Sequence, residues 1–335
     1  MKAIVMTAAG NADVLQMADL PEPTIQSPTE ILVRLKAAGI NPIDTKLRSR
    51  GTFQPDSLPS ILGCDGAGIV EAIGAEVTKF KVGDHVYFCN GGLGLHQGNY
   101  AELTTIDEKF AAHKPKSLSF EEAAAAPLVL LTAWEALYDR GNLQLSTQSS
   151  ANVLIHAGAG GVGHVAIQLA KLRGANVCTT VGSEAKARFV RGLGADLPIA
   201  YKQTDFVKAS LDWTNGEGVD LAFDTVGGSL IEQTFPAVRV YGDLVTILEP
   251  PVDISWKVAR TRNLRFSMEL MLTPMLLQNT VLQIKQAHIL SECAALFDSS
   301  KLKIHVSDIF PLSEVAKAHQ LLESSSMTGK IAIAI

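Results

Sequence analysis

Aromatic side chains are scarce in this sequence, 6% of the chain, and the four cysteines, Cys64, Cys89, Cys178 and Cys293, are scattered with no C-x-x-C pair. So few aromatics give no platform for stacking nucleic-acid bases. Isolated thiols argue against a disulfide framework and suit a reducing compartment. Positive charge is not in excess either. The formal net charge is -5, so neither nucleic acid nor an anionic membrane is an expected partner. Long apolar runs are missing. The stretch from Ala123 to Ala133 is interrupted by Pro127 and is too short to cross a bilayer. Met1 to Met6 reads as a strand with no signal-peptide pattern. The expectation is a cytoplasmic protein.

What is present is the composition of a globular enzyme. The 335 residues are 47% hydrophobic and 19% charged, enough chain for two domains. The first third reads as β-rich. Ile31–Ala37 alternates its faces, Gly68–Gly74 is bounded by glycines, and a Gly83-Asp84 turn precedes His85–Tyr87. Such short strands suggest a Greek-key or barrel-like domain. The character changes at Ser119, an N-cap with Glu121 and Glu122 in the first turn. From Asn152 strands and helices alternate: Asn152–His156, Gly161–Arg173, Asn176–Val181, Glu184–Leu193, Pro198–Ala200, Val219–Phe223 and Leu244–Leu248. That alternation predicts an α/β fold with a doubly wound parallel sheet. After Arg265 it fades into a helix-rich stretch, and Gly329–Ile333 closes the chain as a strand. The simplest organisation inserts a dinucleotide domain, 126–265, into a split partner formed by 1–125 and 266–335. The active cleft is expected between them.

The turn Ala157-Gly158-Ala159-Gly160-Gly161-Val162-Gly163 lies between an apolar strand and a helix. That setting is what makes a glycine-rich turn informative. Gly158 permits the tight turn, Gly160 lets backbone approach a pyrophosphate, and Gly163 lets helix and strand pack closely. Ala159, Gly160, Gly161 and Val162 are the expected contacts at the helix N-terminus. The next strand ends Val181-Gly182-Ser183-Glu184. No acid stands at its tip to bind a ribose 2′-hydroxyl or repel a 2′-phosphate. Gly182, Ser183, Lys186 and, less firmly, Arg188 could face a phosphate, so NADPH is the expected cofactor. The plainer alternative makes Ser183 an N-cap and Lys186 and Arg188 a solvated helix face. Glu184 is read as an acid favoured by the helix dipole.

The ordered motifs Gly39-Ile40-Asn41-Pro42-Ile43-Asp44, Gly63-Cys64-Asp65-Gly66-Ala67-Gly68, Gly83-Asp84, Leu131–Leu137 and Ala157–Gly163 span nearly the whole chain. It resembles the medium-chain dehydrogenase/reductase superfamily, in its quinone oxidoreductase (zeta-crystallin-like) branch. The resemblance implies a GroES-like catalytic domain, a six-stranded Rossmann domain and a homodimer or homotetramer. Where zinc alcohol dehydrogenases of the superfamily place their catalytic metal ligands, this chain has Asn41, Cys64-Asp65 and, near the last position, Leu128. The four-cysteine structural lobe is missing as well. No metal is therefore expected, since zinc wants three protein ligands and an open position.

Without a Lewis acid, the suitable substrate is a quinone or an α,β-unsaturated carbonyl, which delocalises charge left by hydride addition. By the same resemblance Asn41, Lys46 and Thr132 line the reacting centre. Lys46 stands where many relatives carry tyrosine, and could donate to an enolate oxygen or a cofactor phosphate. Tyr201, Asp224, Thr225, Thr246, Ile247 and Phe266 fall at cofactor-facing strand ends. Arg48 and Arg50 read as solvent-exposed, His156 and His164 as packing, and Cys64 as a thiol an electrophilic enone could alkylate. Two alternatives stay open: an alcohol dehydrogenase with non-standard metal ligands, and a non-catalytic NADPH-binding protein.

Overall fold

Period-two burial builds the first half of the molecule. Along β3 (Glu30–Ile40) the side chains of Ile31, Val33, Leu35 and Ala37 are buried while those between them are not. The computed structural model describes residues 1–144, 150–324 and 327–335. The chain divides into two units, 1–128 with 272–335, and 129–271.

In the first unit a small sheet orders β2 (Leu15–Asp19), β1 (Lys2–Met6) and β4 (Ser60–Ile61). A seven-stranded sheet carries the core. Its order is β15 (Val306–Pro311), β16 (Lys330–Ala334), β3, β5 (Asp65–Ile73), β6 (His85–Cys89) and β8 (Ala112–His113), with β7 (Leu103–Asp107) pairing β3 off that path. Ile31, Val33, Val70, Phe80, Val86 and Phe88 form one buried cluster. α1 (Pro42–Arg50) follows β3 directly. α2 (Phe120–Ala125) begins at Ser119, as its sequence announces. Ser119 Oγ accepts from Glu122 N at 3.2 Å, and Glu122 accepts from Ser119 N at 2.9 Å. Such a reciprocal cap stabilises a helix start by about 1 kcal/mol. α3 (Pro127–Trp134) continues as a π-turn over Glu135–Arg140, where Gly141 N reaches Ala136 O at 2.8 Å.

The second unit holds six parallel strands in the order β11 (Leu197–Ala200), β10 (Asn176–Val181), β9 (Asn152–Ile155), β12 (Val219–Asp224), β13 (Val238–Thr246) and β14 (Arg265–Met268). Leu154, Cys178, Ile199, Ala222 and Leu244 share its core. α4 (Gly161–Leu172) and α5 (Glu184–Gly192) follow β9 and β10. The order reverses between β9 and β12, so the turn after β9 opens at the switch point where such sheets bind ligands. The divisions expected at 125/126 and 265/266 fall instead at 128/129 and 271/272. Leu244 pairs with Phe266 and Thr246 with Met268, making 265–268 the sixth strand, and Arg140 holds Glu269 at 2.9 Å within the same unit. Among the described residues no helix is long and apolar enough to cross a membrane.

Candidate active site

The glycine turn is held from below by side chains of its own unit. Ala157 takes a left-handed φ of 51° and its N–H donates to Thr180 Oγ1 at 3.0 Å. Gly158 N donates to Thr180 O at 3.1 Å. A Cβ on Gly158 would lie 2.0 Å from Thr179 Oγ1, and one on Gly163 would lie 2.3 Å from Ala157 O. Neither position has room for a side chain. Gly160 caps α4 in extended conformation. Helix geometry then leaves the first N–H groups, from Gly161 on, without carbonyls four residues back. A cradle closed to side chains and lined by free donors fits a dinucleotide pyrophosphate.

Buried His156 supports this turn. Its Nε2 lies 2.9 Å from Thr234 Oγ1 and its Nδ1 3.2 Å from Thr180 Oγ1. Thr234 spends its own hydroxyl proton on Leu230 O at 2.6 Å, so it accepts from His156. The imidazole therefore carries its proton on Nε2 and accepts from Thr180 at Nδ1. Burial pulls its pKa down to about 4, which keeps it neutral. His164 Nδ1 lies 2.9 Å from Gly160 O, at the same turn.

At the end of β10, Ser183 Oγ accepts from Lys186 N at 3.3 Å and so caps α5. The Tyr201 ring lies beside Gly182, its Oη 3.4 Å from where a Cβ would stand. Lys186 is half-buried, and its ammonium is held below the usual value by burial and then by the neighbouring Lys202. Two ammonium groups, a hydroxyl and a phenol thus gather at one acid-free strand end. Glu184 turns aside to Arg188 at 3.9 Å and Arg191 at 3.4 Å.

Three expected cofactor contacts are placed differently. Asp224 is buried, and its carboxylate accepts from Val226 N at 3.0 Å, Gly227 N at 3.0 Å and Thr246 Oγ1 at 2.7 Å. Asp224 and Thr246 thus tie two strand ends together, with their polar atoms committed to each other and to backbone. Phe266 sits inside β14 with its ring edge-on to Trp256 at 4.8 Å, not at a strand end. Thr225 Oγ1 donates to His156 O at 2.9 Å, and Ile247 is half-buried just past β13.

In the first unit, strand register assembles a buried polar cluster. Gly39 pairs with Asp65, Ile40 with Ile331, and Asp65 with Cys89. These pairings bring Asn41, Asp65, Cys89 and Lys330 together. Asn41 N donates to Asp44 Oδ2 at 2.8 Å, and Asn41 Nδ2 donates to Asp65 Oδ2 at 2.9 Å. Lys330 Nζ donates to Asn41 Oδ1 and, at 2.6 Å, to Ile40 O. Leu128 N donates to Asp65 Oδ1 at 2.9 Å, and Tyr100 Oη to Asp44 Oδ2 at 3.0 Å. Burial pushes the Asp44 carboxyl up to about 7 and raises Asp65 as well. Burial lowers the Lys330 ammonium against the pull of Asp65 and Asp44.

This arrangement corrects several expectations. Asn41 is fully buried with both ends of its amide engaged, so it belongs to the cluster and is not presented to a substrate oxygen. Cys64 is fully buried too. A hydrogen bond with Cys89 lowers its pKa, but burial and the nearby carboxylates leave it raised overall, the opposite of a reactive thiolate. Arg48 is buried, not solvent-exposed, and clamps Glu323 through two bonds of 3.0 and 2.7 Å. Lys46 is exposed on α1, and Thr132 is buried in α3. Lys330, Asp44 and Tyr100 belong to the cluster without being expected there. Asp44 closes the motif that begins at Gly39, but nothing in Gly329-Lys330-Ile331 marks a lysine as buried.

These two folds in one chain define a class, the oxidoreductases that use a nicotinamide cofactor. A sequence family described as alcohol dehydrogenase GroES-like domain matches residues 27–116, and one described as zinc-binding dehydrogenase matches residues 193–333. A quinone oxidoreductase of Pseudomonas aeruginosa is 34% identical over 331 residues, covering 98% of each chain. Escherichia coli quinone oxidoreductase complexed with NADPH superimposes with a TM-score of 0.86 at 30% identity over 100% of both chains. A solved NAD-dependent alcohol dehydrogenase gives 0.89 at 32% identity, again over 100% of both. The chain belongs to the medium-chain dehydrogenase/reductase superfamily and, within it, to the quinone oxidoreductase branch.

Proposed function

We propose that this chain is a zinc-independent reductase that uses NADPH to reduce quinones or α,β-unsaturated carbonyls. The observation that carries the reading is the donor set around Asn41. Its amide is bonded at both ends, Leu128 offers an N–H and not a ligand, and an ammonium lies among them. Zinc needs three protein ligands and an open position, which this set does not provide. Among the described residues no group of three His, Cys, Asp or Glu is arranged to hold a metal. Oxidation of a simple alcohol at a zinc enzyme relies on that metal. A conjugated acceptor needs only donors aimed at its oxygen.

Bound NADPH supplies the hydride. Ala159, Gly160, Gly161 and Val162 hold its pyrophosphate. Ser183, Lys186 and Tyr201 bind the 2′-phosphate beside Gly182, and Thr225 and Ile247 border the cofactor at their strand ends. Lys46 donates to the substrate oxygen or to a cofactor phosphate, and Thr132 borders the nicotinamide. Asn41 acts only through the cluster. The protein works in the cytoplasm as a homodimer or homotetramer. In support of assembly, β14 ends the parallel sheet and carries exposed Met268, followed by exposed Leu270.

The test is oxidation of NADPH and NADH, side by side, against ortho-quinones, para-quinones, alkenals and enones, with metal analysis of the same preparation. Turnover with NADPH, unaffected by chelators, is the expected result. Preference for NADH would remove the role given to Lys186. Activity that depends on stoichiometric zinc would return the chain to the alcohol dehydrogenases. NADPH binding without turnover on any acceptor would make it a binding protein.

A further inference from the structure

Two carboxylates, Asp44 and Asp65, lie fully buried in the first unit with the Cys64 and Cys89 thiols beside them. Burying ionised groups without compensation costs several kcal/mol per ion. Metal is the familiar remedy for such a set of thiols and carboxylates. The cation present is Lys330, with 4% of its surface exposed. Its ammonium donates to Ile40 O and to Asn41 Oδ1. Asn41 passes the interaction on through Nδ2 to Asp65, and Asp65 fixes the Leu128 N–H. The amide is thus oriented at both ends, oxygen toward the cation and nitrogen toward the anion. Turning it over would set N–H groups against the ammonium and oxygen against the carboxylate. Asn41 is an ordered relay between two buried charges.

We infer that Lys330 is the built-in cation of this site. Acting through Asn41 as a positioning residue, it faces Asp65 across an oriented amide and keeps a divalent metal out of the thiols and carboxylates around it. A divalent ion brought into this cluster would face the ammonium's charge, with Asn41 Oδ1 and both Asp65 oxygens already accepting hydrogen bonds. The inference deepens the zinc-independent reading above and rests on it, but adds a claim of its own: the Lys330 and Asp65 charges need each other.

The experiment is a double-mutant cycle on the full chain. Lys330→Met keeps the aliphatic stem and removes the charge, and Asp65→Asn removes the opposing charge. We expect Lys330→Met to lower the Tm by about 10 °C, because breaking a buried pair strands the other charge. The variant carrying both substitutions should regain at least half of that loss, and its reductase kcat/KM should recover with it. Losses that simply add would overturn the inference, because a lysine that only fills space gains nothing from removal of Asp65. If Lys330→Met yields no soluble protein, recovery of soluble protein on adding Asp65→Asn is the same positive result, and no recovery is the negative one. Metal analysis separates this claim from its parent. Tightly held, stoichiometric zinc in the wild-type protein would end both, whereas a zinc-free enzyme with additive losses would end only the pairing of Lys330 with Asp65.

Discussion

The glycine turn of the second unit and the polar cluster of the first are both built of buried hydrogen bonds, yet they reach order by opposite routes. The turn is local. Ala157 to Gly163 pack against Thr179 and Thr180 on the adjacent strand, and the supporting groups are neutral hydroxyls and a neutral imidazole. The cluster is nonlocal and charged. Asn41 and Lys330 are 289 residues apart in sequence, and their meeting depends on β16 pairing antiparallel with β3. Neutral partners can be satisfied one at a time. Buried charges must be satisfied together, so the cluster should weaken as pH rises, whereas the turn, resting on a neutral imidazole, weakens as pH falls.

That contrast gives the largest expected effect. Asp44 is raised by burial from the usual carboxylate range to about 7. Between about pH 4 and pH 7 the folded protein therefore holds a proton that the unfolded chain has released. Stability contributed by this group falls as pH rises through that window, by up to about 4 kcal/mol. His156 and His319, lowered by burial to about 4 and about 3, act in the opposite sense: below about pH 6.5 each must charge on unfolding, so their contribution to stability rises with pH. Urea unfolding from pH 4.5 to 8 should show the Asp44 decline as the difference between the wild-type protein and Asp44→Asn, because the opposing rise from buried His156 and His319 below about pH 6.5 is common to both. An unchanged slope in the variant would place the proton on another group, with Asp65 the first to examine.

The next effect is steric and belongs to the turn. Gly158→Ala places a methyl group 2.0 Å from Thr179 Oγ1 and 2.9 Å from the Ile167 side chain. Overpacking of this kind costs up to about 3 kcal/mol. Here it should appear as a loss of roughly 100-fold in NADPH affinity by fluorescence titration. The same variant should leave the pH dependence of unfolding untouched. If it changes both, the two regions are not independent.

The difference in route also explains which features are legible in the amino-acid sequence. The turn announces itself because its glycines, strand and helix are contiguous, and the acid-free tip at Gly182-Ser183 lies just one strand further on. Helix starts such as Ser119 are legible for the same reason. Placement within a strand is harder to read: Phe266 reads as a strand end and is the middle of one, because its role depends on pairing with Leu244. Asp224 and Thr246 read as ligands and instead satisfy each other across adjacent strands. The cluster is the least legible. Asn41 stands out for what it replaces, while the lysine that explains it comes from the last strand. Burial of Arg48 is hidden similarly, since its partner Glu323 lies 275 residues away.

A smaller effect tests cofactor choice at the turn's neighbouring strand end. Lys186→Ala removes one of two nearby ammonium groups. A charge-assisted bond of this sort is worth about 1.5 kcal/mol or more. NADPH should bind roughly 10-fold more weakly while NADH is unaffected. Equal weakening of both would show that Lys186 acts on the fold of α5 and not on a 2′-phosphate.

The smallest effect on cofactor affinity asks how far the neutral network beneath the turn is a set of separable bonds. Thr234→Val removes the acceptor for His156 Nε2 with little change of shape. The imidazole is then left with a buried donor, a cost of about 1 to 3 kcal/mol. If the bonds are separable, unfolding registers that cost while NADPH affinity stays within about twofold, because Thr180 still holds Ala157 N. If instead affinity falls with stability, the imidazole has turned to seek another acceptor and taken Thr180 with it. The turn would then share the all-or-none character of the charged cluster, and neutrality alone would not account for the difference between the two regions.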